Sequence, residues 1–160
     1  MQDLTYRSAT QLLQDIKARH ISCIDLLDAF IEKIEQKNPD INAVVATGFE
    51  AARKRARAAD AALNKGDSWG ALHGLPMTVK DCFEVVGMPC TAGLPMLKEH
   101  LPAQNADAVQ SLVDAGAIII GKTNVPMGGN DFQSYNDVYG QTNNPWEVSR
   151  TPGGSSGGAA

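Results

Sequence analysis

The run Ala117-Ile118-Ile119-Ile120 constrains the fold most. It reads as a short buried strand. The residues before it spell a helix over 105–114, capped by Asn105, with Val109, Leu112 and Val113 inward and Gly116 closing it. Pro76-Met77-Thr78-Val79 reads as a second buried strand. Helix followed by buried strand is the pattern of an α/β fold, here a mixed sheet core flanked by helices. Upstream, the first 66 residues read as helical. Leu12, Leu13 and Ile16 form one apolar stripe, and Leu26, Leu27, Phe30, Ile31 and Ile34 form another. Ser22-x-x-Asp25 resembles a capping box opening that second helix, and Asn38-Pro39 is expected to end it. Residues 41–47 suit a strand. Residues 49–65 are rich in Ala and Arg and favour helix, with Gly66 as a natural stop. The chain has 160 residues, enough for one core and short of two comfortable domains. We therefore read 1–160 as a single partial domain, with a helical region 1–66 and part of a catalytic core over 71–160.

Charge and composition exclude several classes. The net charge is −4, so no basic field calls for nucleic acid or anionic lipid. The cluster Arg53-Lys54-Arg55 with Arg57 reads as a solvated helix face. The first 30 residues carry charges throughout, which leaves no secretory apolar core, and no apolar run approaches the ~18 residues of a membrane span. The three cysteines, Cys23, Cys82 and Cys90, form no C-x-x-C pair and read as thiols in a reducing, cytoplasmic compartment. His20, His73 and His100 are scattered, so no metal site is expected.

Two motifs match famous patterns without their context. Gly116-x-x-x-x-Gly121-Lys122-Thr123 fits a phosphate-binding loop, but a strand lies between its glycines, and Pro126 follows where a helix should run. Gly154-x-Ser156-x-Gly158 fits the nucleophile elbow of α/β-hydrolases, but all three histidines lie upstream of it.

A third constellation joins two distant segments. Gly74-Leu75-Pro76-Met77-Thr78-Val79-Lys80-Asp81 places a lysine at the end of an apolar strand. Thr151-Pro152-Gly153-Gly154-Ser155-Ser156-Gly157-Gly158 places two serines among glycines. Taken singly, Lys80 also fits a strand-end lysine reaching for water, and the Ser-Gly run a flexible linker. A non-catalytic association module stays open on those grounds, as does the weaker nucleotide-binding reading.

Together with Gly121-Lys122-Thr123-Asn124 and Asn144-Pro145-Trp146 between them, the two segments closely resemble the amidase signature family over roughly residues 71–160. The resemblance implies an amidohydrolase that cleaves a carboxylic amide into acid and ammonia or amine. It needs no metal or organic cofactor, and its partner is a small-molecule amide. Lys80 corresponds to the family's catalytic lysine. Ser155 corresponds to its bridging serine, which is preceded by a cis peptide, here Gly154–Ser155, and also borders substrate. Gly128 and Gly129, in Met127-Gly128-Gly129-Asn130, correspond to the loop that lines the acyl pocket. Ser156 is expected to support by hydrogen bonding. The family's nucleophile lies about two dozen residues beyond the bridging serine, in a Gly-Gly-Ser block, whereas this sequence ends at Ala160. The resemblance therefore implies a chain that stops short of its nucleophile and is inactive alone. A loose tail over 151–160 and open strand edges favouring a homo-oligomer are expected with it. Asp81 is expected to point away from the Lys80 amine. Thr123-Asn124 is followed by Val125-Pro126 rather than the family's Met-Asp-Glu-Phe version, which favours a free-standing hydrolase over a component of an amidotransferase with a tRNA partner.

Overall fold

The computed structural model describes residues 3–160. Helix α1 spans Ala9–Lys17 and α2 spans Cys23–Ile41. Strand β1 follows at Val44–Thr47, then α3 at Phe49–Asn64 and β2 at Pro76–Lys80. Helix α4 covers Asp107–Asp114, and β3 covers Ile118–Thr123. A small hairpin, β4 (Tyr135–Asn136) and β5 (Gly140–Gln141), sits in the otherwise irregular remainder. β3 is central in a three-stranded mixed sheet, antiparallel to β1 and parallel to β2.

Strand alternation distributes the apolar run over both faces. Ile118 and Ile120 pack with Leu26, Leu27 and Ile31 of α2 and with Ala52, Ala56 and Ala59 of α3. Ile119 packs on the other face with Val85, Met88 and Val109 of α4. The sheet is thus covered by α2 and α3 on one side and α4 on the other, the α/β layering expected from the sequence. β3 is buried at every residue, whereas β2 is only half-buried throughout. The expectation of two buried strands therefore holds for one. β2 pairs with β3 alone among the described residues, which leaves its outer edge open.

Helix ends depart from the sequence reading in instructive ways. α1 carries a full capping box that the sequence reading passed over: Ser8 accepts from the Gln11 amide, and the Gln11 side chain accepts from the Ser8 amide. At α2 only half a box forms. Ser22 accepts from the Asp25 amide, but the shorter Asp side chain makes no return bond among the described residues. Asp60 of α3 does that work from outside, accepting from the Cys23 and Ile24 amides at 2.7 and 3.1 Å. Pro39 does not end α2, which runs on to Ile41 and is capped by Asn42 with φ 53°. Pro39 lies in the last turn, where its missing N–H forfeits one i→i−4 bond and little helix follows it. The Asn38 carboxamide ties that turn to β1 by accepting from the Ala43 and Val44 amides, both at 2.8 Å. The strand is accordingly shorter than 41–47. Asn105 does not cap α4. Its carbonyl oxygen accepts from the Val86 amide and its amide donates to Gln110. Arg55 leaves the solvated face expected of its cluster. It reaches inward to the carbonyls of Ala117 and Val113, with its guanidinium 4.7 Å from the Trp69 ring.

Candidate active site

Lys80 ends β2, in register with Thr123 of β3, and the next amide, Asp81 N–H, donates to the Thr123 carbonyl at 3.0 Å. This backbone anchor sends the half-buried lysine side chain toward the glycine-rich segment. There Lys80 Nζ donates to Ser155 Oγ at 2.9 Å, joining residues 75 apart in sequence. The Gly154–Ser155 peptide is cis. Lys80 forms no ion pair among the described residues. Asp81 points away from it, with a fully buried carboxylate that accepts from the Thr91 amide at 3.1 Å and from the Thr91 hydroxyl. Lys122 lies 3.5 Å from the other oxygen of that carboxylate.

The Ser155 segment is held by polar contacts. Ser134 Oγ donates to the Gly153 carbonyl at 3.3 Å and accepts from the Gly157 amide at 3.0 Å. The Gly158 amide donates to the Asn124 carbonyl at 3.3 Å. Asn124 is buried at the end of β3, and its side chain binds Thr142 Oγ1, the Gly140 carbonyl and Asn136. Two glycines are required by close approach. A Cβ at Gly154 would lie 2.6 Å from the Phe132 carbonyl carbon, and one at Gly158 would lie 2.8 Å from the Ala43 oxygen. The tail expected to be loose is thus packed, with Gly157 and Gly158 buried.

The remaining residues singled out from sequence fall at varying distance from this pair. Ser156 is exposed, and its side chain makes no hydrogen bond among the described residues. Gly128 and Gly129 form an exposed turn with φ of 63° and 71°, and their amides bond Ala92 and Pro126 carbonyls rather than the Lys80–Ser155 pair. A cleft beside that turn is lined by Met127, Asn130, Asp131, Tyr135 and Asp137. A second, mainly apolar recess of about 230 Å³ flanks Lys80 between β2 and α4, lined by Val79, Phe83, Val109 and Leu112. The phosphate-loop pattern is removed outright: Gly121, Lys122 and Thr123 are strand residues, and Lys122 is spent on Asp81 and the Pro89 carbonyl. Among the described residues no group of three or more His, Cys, Asp or Glu could hold a metal ion, and no helix is long and apolar enough to cross a membrane. The sequence reading missed Thr91, Ser134 and Asn136, and it named Lys122 and Asn124 only as members of a motif block, without their supporting roles. Their partners lie far away in sequence, so no local spacing could have revealed them.

A family model described as Amidase matches residues 25–160. A glutamyl-tRNA(Gln) amidotransferase component from Acidothermus cellulolyticus is 39% identical over 160 residues, all of this chain and 32% of that protein. An acylamidase of Rhodococcus erythropolis is 35% identical over 159 residues, 99% of this chain and 33% of that protein. The structure of a bacterial aryl acylamidase of the amidase signature enzymes superposes with a TM-score of 0.90 at 30% identity, covering 96% of this chain and 32% of that one. The chain therefore spans about a third of the length of the curated relatives it matches.

Proposed function

The chain belongs to the amidase signature family, and from that premise we propose that it supplies the lysine and the bridging serine of an amidohydrolase acting on a small-molecule carboxylic amide. The observation that carries the reading is the 2.9 Å contact between Lys80 Nζ and Ser155 Oγ. A hydroxyl both donates and accepts, so Ser155 can take a proton on one side while giving one on the other. A serine hydroxyl attacks poorly until a base removes its proton. An amine takes up that proton through its nitrogen lone pair. Here the nearest carboxylate is turned away and engaged elsewhere.

In the proposed reaction the attacking hydroxyl passes its proton through Ser155 to the Lys80 amine. Its oxygen bonds to the amide carbon. The carbon–nitrogen bond breaks as Lys80 returns the proton, again through Ser155, to the departing nitrogen. Water then cleaves the resulting ester and releases the acid. Neither Lys80 nor Ser155 is the attacking group. We place that group in sequence beyond residue 160, so residues 1–160 alone do not turn over. Gly128 and Gly129 border the acyl pocket in this reading, and Ser134 rather than Ser156 supports the glycine-rich segment. A cytoplasmic setting fits three free thiols, and the open edge of β2 fits association with further segments or a second copy. The sequence Val125-Pro126 after Thr123-Asn124 supports a free-standing hydrolase.

The test is turnover of a panel of aliphatic and aromatic amides, glutamine included, by the full-length protein and its Lys80→Ala variant. The variant is expected to lose about 10²–10⁴-fold in turnover with an unchanged circular dichroism spectrum. Near wild-type turnover refutes the assignment. A serine-directed fluorophosphonate should label neither Ser155 nor Ser156. Stoichiometric labelling of either makes it the nucleophile and overturns the relay role.

A further inference from the structure

On the far side of β2 from the Lys80–Ser155 contact lies an ion pair with no solvent exposure. Lys122 and Asp81 are both 0% exposed at the side chain, with Nζ 3.5 Å from Oδ1. That carboxylate oxygen has no hydrogen-bond partner among the described residues, and the ammonium is what compensates it. Lys122 Nζ donates to the carbonyls of Pro89 at 2.8 Å and Asp81 at 3.4 Å. A buried pair repays its desolvation only when the geometry is excellent. At 3.5 Å this one is longer than the about 2.7–2.9 Å of a charge-assisted bond. Stability alone is a poor reason for such a pair.

Its position offers a better one. Lys80 and Asp81 are consecutive at an extended strand end, so their side chains leave on opposite faces. A carboxylate that swung round would favour the charged form of the amine and compete with Ser155 for it. Resting on the amidase reading, we propose that Lys122, together with Thr91, is a positioning device for Lys80. It neutralises Asp81 and holds the carboxylate on the far face of β2, which leaves the amine to Ser155. Lys122 acts through Asp81. Parallel pairing sets Val79 opposite Lys122 and Lys80 opposite Thr123, so both lysines hang from one ladder. The other titratable groups around the pair are Cys90 and Tyr139. The Cys90 thiol donates to the Asp81 carbonyl at 3.2 Å and is pushed up by burial. Tyr139 is pushed up by burial and then by the Asp81 charge. Neither is a cation that could replace Lys122.

The test compares Lys122→Met with the double substitution Asp81→Asn/Lys122→Met in the full-length protein, by pH–rate profile and crystal structure. Freeing the carboxylate should lower kcat about 100-fold, the scale of a 1 Å misplacement, with KM little changed. The acid limb of kcat/KM should move to higher pH by about one unit, because a nearby carboxylate keeps the base protonated. The Lys80–Ser155 contact should open in the crystal. The double variant has no carboxylate to misplace and should return to within about tenfold of wild type, with the acid limb restored. Loss of packing alone gives no such recovery. Should Lys122→Met fail to fold, Thr91→Val removes one hydroxyl and should move the acid limb the same way by a smaller step. An unmoved acid limb in the folded single variant, or a double variant no more active than the single, overturns the proposal. Absence of amide turnover in the wild type, or full turnover in Lys80→Ala, overturns the amidase reading instead. The Lys80–Ser155 distance in the Lys122→Met crystal then decides the positioning claim, and an intact contact refutes it.

Discussion

Lys80 and Ser155 come from two regions held together by different chemistry. Up to Thr123 the interior is mainly apolar: Leu26, Leu27 and Ile31 bury against Ile118, Ile120 and the small face of α3. From Asn124 onward the buried side chains are largely polar, namely Asn124, Ser134, Asn136 and Thr142, with Val125 and Pro126 as neighbours. Large apolar groups there, Phe132 and Trp146, stand 86% and 95% exposed. Apolar burial is non-directional and tolerates small shifts. Hydrogen bonds weaken steeply with angle and leave costly orphans when broken. The first region can hold a strand end in place, and the second can fix the angle of a hydroxyl.

The largest effect that separates the two is expected from Asn124→Ala set beside Leu26→Ala. Leu26 is fully buried, and its truncation should cost about 2–5 kcal/mol. Asn124 donates to Gly140 and Thr142 and accepts from Val125 and Asn136. Each orphaned buried group costs about 1–3 kcal/mol, so the stability losses should be comparable. Activity should not be comparable. At a temperature where both remain folded, Leu26→Ala should keep turnover within about threefold of wild type. Asn124→Ala should lose about 100-fold, because the Asn124 side chain fixes, through Gly140, Thr142 and Asn136, the backbone whose carbonyl accepts from the Gly158 amide. Equal turnover in the two folded variants would break the distinction between scaffold and hydroxyl placement.

The same contrast explains what the sequence disclosed. Helices α1 and α2 were legible from a period, Leu12 with Ile16 and Leu26 with Phe30, α3 from its Ala- and Arg-rich composition, and β3 from its isoleucine run. The Lys80–Ser155 contact and the cis Gly154–Ser155 bond were legible through ordered blocks that resemble a family, rather than through any local period. The supports were not legible. Asn124 meets Thr142, Ser134 meets Gly157, and Asp60 meets Cys23 only after folding, since a hydrogen bond across 18, 23 or 37 residues leaves no spacing to read. The α2 terminus failed for a related reason. Proline signals a stop, but the Asn38 carboxamide collects two amides beyond the helix and lets the last turn run through it.

Thiol reactivity sharpens the comparison by reporting on the apolar region alone. Cys23 is fully buried at the start of α2, and its thiol is pushed up to about 12 by burial and then by Asp60. The thiolate is the reactive form, so Cys23 should be inert to a disulfide reagent at neutral pH in the native protein. Cys90 is likewise buried, whereas Cys82 is at the surface. One fast-reacting thiol is expected, assigned to Cys82 by mass spectrometry, with Cys23 reacting only on unfolding. In Asn124→Ala, Cys23 should stay as protected as in wild type, because the damage lies in the other region. Labelling of Cys23 at the rate of Cys82 would show that the helical scaffold opens without global unfolding.

The smallest expected effect belongs to neither interior. Asp3 accepts from the Thr5 amide and hydroxyl and pairs with Lys33 of α2 at 2.7 Å, tying the N-terminal turn to the helical scaffold. The Lys33 contact first, and the Thr5 bonds next, hold its carboxyl at about 2, below the ordinary 3.8. A carboxyl depressed in the folded state contributes stability that is present above its unfolded value and lost as the pH falls through the folded one. The relevant window is therefore between about 4 and about 2, far from neutrality. The pair lies at the surface, where salt screens it. An NMR titration should place the Asp3 midpoint near 2 at low salt. Lys33→Ala should raise it toward 3.8 without reaching it, since both Thr5 bonds remain. Neutral-pH stability should barely move. An Asp3 midpoint at the ordinary carboxyl value in the wild type would mean that the turn is not docked on α2, and that the apolar scaffold begins only with the capping box at Ser8.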